Sequence, residues 1–309
     1  MNNLSPLNTA VLFITYKRLD TTIQVFETIR KVKPPRLYIS SNYGNDEEEN
    51  KRVQKVRIYL KENIDWKCTV KKLYRNEHLS AKLSISGAID WFFENEEMGI
   101  ILEDDCLPSQ SFFIFCEYLL NKYKNDTRFA SISGNNFSKI AYSNDSYFFS
   151  RYSYMWGWAS WKSSWEAHKK IMQNFDKIIP SVKSLSINNR YANSRIINNA
   201  IRANSGKIDT WDLQWILSNY LNNKLIFIPR NNLVKNIGYD SDATNTKVNN
   251  PAKIINNYEI KFPLSHPLIV VPNYDYDEYL FKHVFHWKPF YRKLFEFSKL
   301  PQRIVNKLN

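Results

Sequence analysis

Short apolar runs recur through the first part of the chain, at residues 10–16 (AVLFITY), 36–40 (RLYIS), 67–74 (KCTVKKLY), 98–102 (MGIIL) and 129–133 (FASIS). Each is too short for a core helix and reads as a buried strand. The stretches between them carry helical periodicity. Asp20 is placed to cap a helix to about residue 33, with Ile23, Phe26 and Ile29 on one face, and Pro34-Pro35 stops it. A polar loop at 42–50 leads into a charged helix to about residue 63, and 79–94 and 110–124 read as further helices. Strand and helix alternating at this spacing predict βαβ units, hence an α/β fold with a mostly parallel sheet flanked by helices. Ligands of such sheets sit outside the carboxyl ends of the strands. Three polar tips are therefore expected on one edge: Thr15-Tyr16-Lys17-Arg18, Ser40-Ser41-Asn42 and Glu103-Asp104-Asp105.

The 309 residues are 43% hydrophobic and 24% charged, enough for a real core and against global disorder. The net charge of +13 admits polyanionic partners, but no single Lys/Arg block or reader motif marks a nucleic-acid binder, and none is expected as a partner. Three cysteines, Cys68, Cys106 and Cys116, form no Cys-x-x-Cys pair, which fits a reducing cytosol. No signal peptide and no apolar run long enough to span a bilayer is found. After Ser150 the pattern loosens: 151–165 is crowded with tryptophan, 185–201 is a polar helical candidate, 209–220 an aromatic-rich helix and 225–228 a short strand.

Three consecutive carboxylates directly after an apolar strand repel one another and raise each other's pKa. A divalent cation removes that cost, and oxygen ligands suit Mg²⁺ or Mn²⁺. A solvated acidic turn is the plainer alternative. The stretch with Arg75-Asn76, Ala88-Ile89-Asp90-Trp91-Phe92-Phe93, Gly99-Ile100-Ile101-Leu102-Glu103-Asp104-Asp105-Cys106, Phe112-Phe113 and Ile132-Ser133-Gly134-Asn135 resembles bacterial GT-A glycosyltransferases. It also resembles the donor half of the inverting N-acetylglucosaminyltransferases of the Golgi, with their Glu-Asp-Asp version of the Asp-x-Asp motif. Trp156-Gly157-Trp158-Ala159-Ser160-Trp161, Thr210-Trp211-Asp212-Leu213-Gln214-Trp215 and Asn232-Leu233-Val234-Lys235-Asn236-Ile237-Gly238 agree, so the resemblance covers roughly residues 9–272.

The resemblance implies a GT-A type, Rossmann-like domain over 1–272, with a donor half at about 9–136 and an acceptor half at about 137–272, followed by a C-terminal helical tail at 273–309. It implies that Asp105 contacts the metal, that Asp104 hydrogen-bonds the ribose and that Glu103 holds metal-bound water or the sugar. It places Thr15, Tyr16 and Arg18 near base and diphosphate, Ser40 and Ser41 at the base, and Arg75 at nucleotide or phosphate. For Arg18 and Arg75 a plain surface cation is the alternative. Asp212 matches the family's catalytic carboxylate, which would deprotonate the acceptor hydroxyl; a helix N-terminal charge is its alternative and Asp209 its rival. Related sequences often place a metal- or diphosphate-binding histidine where this chain has Asn245, and His266 lies downstream as a substitute.

Trp156, Trp158, Trp161 and Trp165 present either sugar-stacking faces or core. Trp156, Trp158 and Trp211 are the acceptor candidates. The tail mixes Phe285, Trp287, Phe290, Tyr291 and Phe295 with Lys288, Arg292, Lys293, Lys299, Arg303 and Lys307. That composition suits peripheral association with the inner face of the cytoplasmic membrane, or a helix packed on the domain. The expectation is an inverting, metal-dependent transfer from a UDP-sugar or similar donor to a glycan or lipid-linked acceptor in polysaccharide or lipopolysaccharide assembly. A sugar-nucleotidyltransferase would open with a glycine-rich phosphate loop, and residues 10–20 contain no glycine. A weak or inactive nucleotide- or carbohydrate-binding relative is the other reading that Asn245 leaves open.

Overall fold

The structure, a computed structural model, describes residues 7–152, 154–184, 190–238 and 256–284. Asn245 and the chain beyond residue 284 lie outside them. Along the first part, β1 (Ala10–Thr15), α1 (Leu19–Val32), β2 (Arg36–Ser41), α2 (Glu47–Asn63), β3 (Thr69–Tyr74), α3 (Ala81–Asn95) and β4 (Met98–Glu103) alternate as expected. Then come β5 (Cys106–Pro108), α4 (Gln110–Lys122), β6 (Phe129–Ser133), β7 (Tyr147–Ser150) and β8 (Trp158–Trp161). The rest is α5 (Lys162–Gln173), α6 (Phe175–Ser184), α7 (Arg190–Asn204), α8 (Asp212–Leu221), β9 (Leu225–Pro229), β10 (Val234–Asn236), α9 (Tyr274–Tyr279) and a π-helical turn at Leu280–Val284.

Eight strands form one sheet in the order β3-β2-β1-β4-β8-β6-β9-β7, and β5 and β10 form a small antiparallel pair. All strands of the large sheet run parallel except β8 and β7, which are antiparallel to both neighbours or to their one neighbour. The α/β class and the mostly parallel sheet are thus as expected. β1 is buried at every position because helices cover both faces of the sheet. Leu12 and Ile14 enter one core and Val11 and Phe13 the other, the alternation of a strand buried on both sides. α1, α2 and α4 pack on the second face; α3, α5 and α8 pack on the first. Edge strand β3 (TVKKLY) is largely exposed and carries Lys71 and Lys72, charges that discourage a further strand.

Local capping adjusts the expected boundaries. Arg18, not Asp20, is the N-cap of α1, and Asp20 falls in its first turn. Asp46 caps α2 by accepting from Glu49 N at 2.8 Å, with Glu47, Glu48 and Glu49 in the first turn. The larger departure is β8. The tryptophan-crowded stretch is not a loop: Trp158–Trp161 lies inside the sheet, pairing Ile101↔Trp158 and Met98↔Trp161 on one side and Ser131↔Ser160 on the other. The sheet therefore runs across residue 136. Tyr276, Leu280, Phe281 and Val284 are also buried in the first-face core, so the chain is still core-forming after residue 272.

Candidate active site

A cavity of about 300 Å³ opens where the chain turns from β1 out to β3 and returns to β4. This is the switch point at which sheets of this topology bind ligands. It gathers Thr15, Tyr16, Lys17 and Arg18 after β1, Asn42 after β2, and Glu103, Asp104 and Asp105 at the end of β4. Tyr154, Met155 and Trp156 before β8, and Asp209, Thr210, Trp211 and Asp212 at the start of α8, form the opposite wall.

The two short tips lock together. Tyr16 N donates to Asp104 Oδ2 at 2.9 Å. Arg18 Nη2 donates to Asp104 Oδ1 at 3.1 Å and to Asp105 Oδ2 at 2.8 Å. Asp105 is held from behind by the β5–β10 pair, where Ile237 N donates to its carbonyl at 2.8 Å. Gly238 closes this corner. A Cβ there would fall 2.2 Å from Asp105 Oδ2 and 2.6 Å from Arg18 Nη1, so only glycine lets the backbone approach the ion pair. On the other side Tyr16 donates its hydroxyl to Glu49 Oε2 at 2.6 Å, and Lys17 pairs with Glu49 Oε1. The Lys17 and Tyr16 hydrogen bonds hold the Glu49 carboxyl down at about 2.

The acidic residues outnumber their partners. Burial pushes Asp104 up to about 6, with Asp105 adding to the rise and Arg18 opposing it. Glu103 is driven well above the usual carboxylate range by burial and then by Asp105, Asp104 and Asp212. A site of this kind gains from a proton or a cation. Among the described residues no group of three or more His, Cys, Asp or Glu is arranged to hold a metal alone. The donor set still fits Mg²⁺ or Mn²⁺, which keep waters and combine one or two carboxylates with substrate phosphates. Among the described residues Asp105 Oδ1 has only a weak contact at 3.4 Å from Cys106 Sγ, and Glu103 faces the cavity beside it.

Asp209 and Asp212 differ sharply although both line the cavity. Asp209 accepts from Ala81 N at 2.8 Å and Lys82 N at 2.9 Å, so both its oxygens cap the start of α3. α8 itself begins at Asp212, not at Asp209. Asp212 Oδ1 accepts from Leu213 N at 2.8 Å and from the Thr210 hydroxyl, while Oδ2 accepts no hydrogen bond among the described residues. Burial raises its pKa against the hydrogen bonds from Thr210 and from the Leu213 and Asp212 backbone N–H groups.

Four expected site residues do not line the cavity. Ser40 and Ser41 are fully buried in β2; Ser41 Oγ accepts from Arg57 Nε at 3.0 Å, and the next residue, Asn42, takes their place at the rim. Arg75 sits over Gly87 of α3 and lines a separate groove with Tyr74, Asn76 and Glu77. Trp158 is core, stacked on Trp211 with ring centroids 5.6 Å apart; Trp211 is itself buried and reaches the cavity only at its edge of the wall. His266 also lies elsewhere: it shares hydrogen bonds with Tyr147 at 2.9 Å and Tyr118 at 3.0 Å. His78, Tyr154 and Asn236 join the cavity without having been singled out. His78 was within reach of the strand-tip rule, since its loop follows β3.

No protein-family profile matches the chain, and no curated protein matches it in sequence. Among solved structures it is similar to S. aureus TarS residues 1–349, at 9% identity and a TM-score of 0.41, over 74% of this chain and 59% of that one, less than two thirds of its length. It is similar to the mannosyltransferase PcManGT from Pyrobaculum calidifontis, solved with GDP-Man and Mn²⁺, at 10% identity and 0.37, over 72% and 70%. The galactosyltransferase LgtC, solved with donor and acceptor sugar analogs, gives 10% and 0.37, over 68% and 69%. A UDP-glucose pyrophosphorylase matches as well, at 11% and 0.30, over 53% and 80%. Likeness this distant decides nothing about activity.

Proposed function

We propose that this protein is a nucleotide-sugar-dependent glycosyltransferase of GT-A type that works with inversion. The observation that carries the reading is one cavity with two unlike walls. Polar tips of β1 and β4 face a carboxylate, Asp212, whose Oδ2 is unengaged among the described residues and which is flanked by Trp156 and Trp211. Thr15, Tyr16 and Arg18 would meet the nucleotide and its diphosphate. Asp104 would meet the ribose and Glu103 the sugar. Asp105, with Glu103, would hold Mg²⁺ or Mn²⁺, whose charge supplies Lewis-acid stabilisation of the departing diphosphate. Trp156 and Trp211 would carry the acceptor on their ring faces.

In the chemical step Asp212 takes the proton of an acceptor hydroxyl. That oxygen forms a bond to the anomeric carbon from the face opposite the leaving group, the carbon–oxygen bond to the diphosphate breaks, and a nucleoside diphosphate leaves. The raised pKa of Asp212 makes it a stronger base than an exposed aspartate. A UDP-sugar donor, a glycan or lipid-linked acceptor and a role in cell-surface polysaccharide or lipopolysaccharide assembly, on the cytoplasmic side of the membrane, complete the proposal.

A donor screen tests it. The protein is mixed with nucleotide sugars, with Mn²⁺ or with EDTA, and thermal shift and released nucleotide are recorded for wild type, Asp105→Ala and Asp212→Ala. One donor should stabilise wild type only with metal. Asp105→Ala should lose that shift, and Asp212→Ala should keep it while losing turnover. A second reading, a binding relative without turnover, draws on the Arg18 bridge, which already places one cation between Asp104 and Asp105. Donor binding that ignores metal, with no nucleotide released, would favour it.

A further inference from the structure

On the side of the sheet away from the cavity, residues 265–273 run along the free edge of β7. They are tied down at both ends: Ser146 N donates to Ser265 O at 3.2 Å, and Asn273 N donates to Phe149 O at 2.7 Å. Between the ties the sequence is His-Pro-Leu-Ile-Val-Val-Pro. Leu268 is 99% exposed, Ile269 63% and Val271 51%, and Tyr274, at the start of α9, is 59% exposed. Val270 turns back onto the core while Leu268, Ile269 and Val271 around it stay exposed; single exposed aliphatics need no explanation, but three clustered on one loop at a sheet edge do. Pro267 and Pro272 offer no N–H, so the segment is a poor template for an added strand.

We infer that this loop is an apolar foot that inserts into the surface of an anionic lipid bilayer. Three features select a bilayer. The aliphatic tip projects outward. Beside it Tyr274 carries the Arg151 guanidinium 5.3 Å over its ring, the aromatic and cationic pairing suited to a headgroup layer. The chain then continues through α9 to Val284, and residues 285–309 hold six basic residues against one acid, Glu296. A short apolar insertion in a chain that also carries a basic stretch of sequence is the two-signal combination that gives stable peripheral binding. Among the described residues no helix is long and apolar enough to cross a membrane. The inference does not depend on the transferase reading.

The test is flotation of the full chain with vesicles of phosphatidylcholine alone or equimolar with phosphatidylglycerol. Wild type should float with the anionic vesicles, and Leu268→Asp/Ile269→Asp should bind on the order of tenfold more weakly with an unchanged melting temperature. As a second reading of insertion, acrylodan is attached at Leu268→Cys; its emission should shift to the blue on anionic vesicles and be quenched by brominated acyl chains. Equal flotation of wild type and the double aspartate variant would overturn the proposal, because charge alone would then explain binding. So would a label that stays in water, absence of wild-type binding, or a dimer in light scattering that the double variant breaks, which would assign the loop to a second copy.

Discussion

The two halves of the sheet build their share of the cavity by different means. In the β3-β2-β1-β4 half the strands are parallel, the strand ends are polar, and the cavity wall is a web of hydrogen bonds and ion pairs among Tyr16, Lys17, Arg18, Glu49, Asp104 and Asp105. In the β8-β6-β9-β7 half two strands are reversed. There the wall rests on a packed cluster of Trp158, Trp165, Trp211, Trp215 and His168. The first wall is set by charge and direction. The second is set by shape and leaves Asp212 Oδ2 without a hydrogen bond among the described residues. The proposed transfer, with a tightly held donor and an exchanging acceptor, would gain from such a division.

The sharpest way to break the comparison is Asp212→Asn. It removes the base from the aromatic wall while sparing the ionic one, so turnover should fall by about 10²–10⁴ while donor binding, read by thermal shift, stays. Trp215→Ala attacks the support of the same wall. Trp215 is fully buried, with ring centroids 5.4 Å from Trp158 and from Trp165, and its loss should cost about 3–5 kcal/mol in denaturant unfolding.

A third test uses pH. Burial pushes Asp277, whose carboxyl accepts from Ser150 Oγ, up to about 7 from an ordinary 3.8. The folded state therefore holds a proton that the unfolded chain has released. The stability this group contributes is present below about pH 4 and is lost as pH rises to about 7, up to about 4 kcal/mol in all. Asp277→Asn should flatten that slope in unfolding curves taken across the range. The smallest effect sharpens the ionic side: Tyr16→Phe deletes one of several bonds to Glu49 and should cost under about 1 kcal/mol. The Glu49 carboxyl should then titrate above its present value of about 2, measured by NMR.

How far the sequence announced this structure follows the same division. The β1, β2 and β4 runs are apolar on both faces and bounded by polar tips, so their positions and the convergence of Thr15, Arg18 and Asp105 could be read directly. Ser40 and Ser41 were misplaced by one step, because the last strand residues remain inside the sheet and the first loop residue reaches the rim. β8 escaped notice because four residues, WASW, show no usable period, and tryptophan reads equally as core or as binding surface. Asp212 was marked by resemblance, but what separates it from Asp209 is a pair of backbone N–H groups at the start of α3, 127 and 128 residues away in sequence. No local pattern carries such a contact.

The reversed central strand has a consequence for how the chain comes to be folded. β4 pairs with β1 on one side as soon as both have been made, but its other side waits for Trp158–Trp161, more than fifty residues later. Until then Ile100 and Ile101 offer open backbone groups on an apolar edge, and β6 waits for the same partner. A ribosome-bound chain ending before residue 158 carries one open edge on β4 and two on β6, whose other neighbour, β9, comes later still. The half-sheet is thus the stage at which this protein is most prone to stick to its neighbours; the arrival of WASW closes the β4 edge and one edge of β6 in one step, and the other edge of β6 closes only with β9.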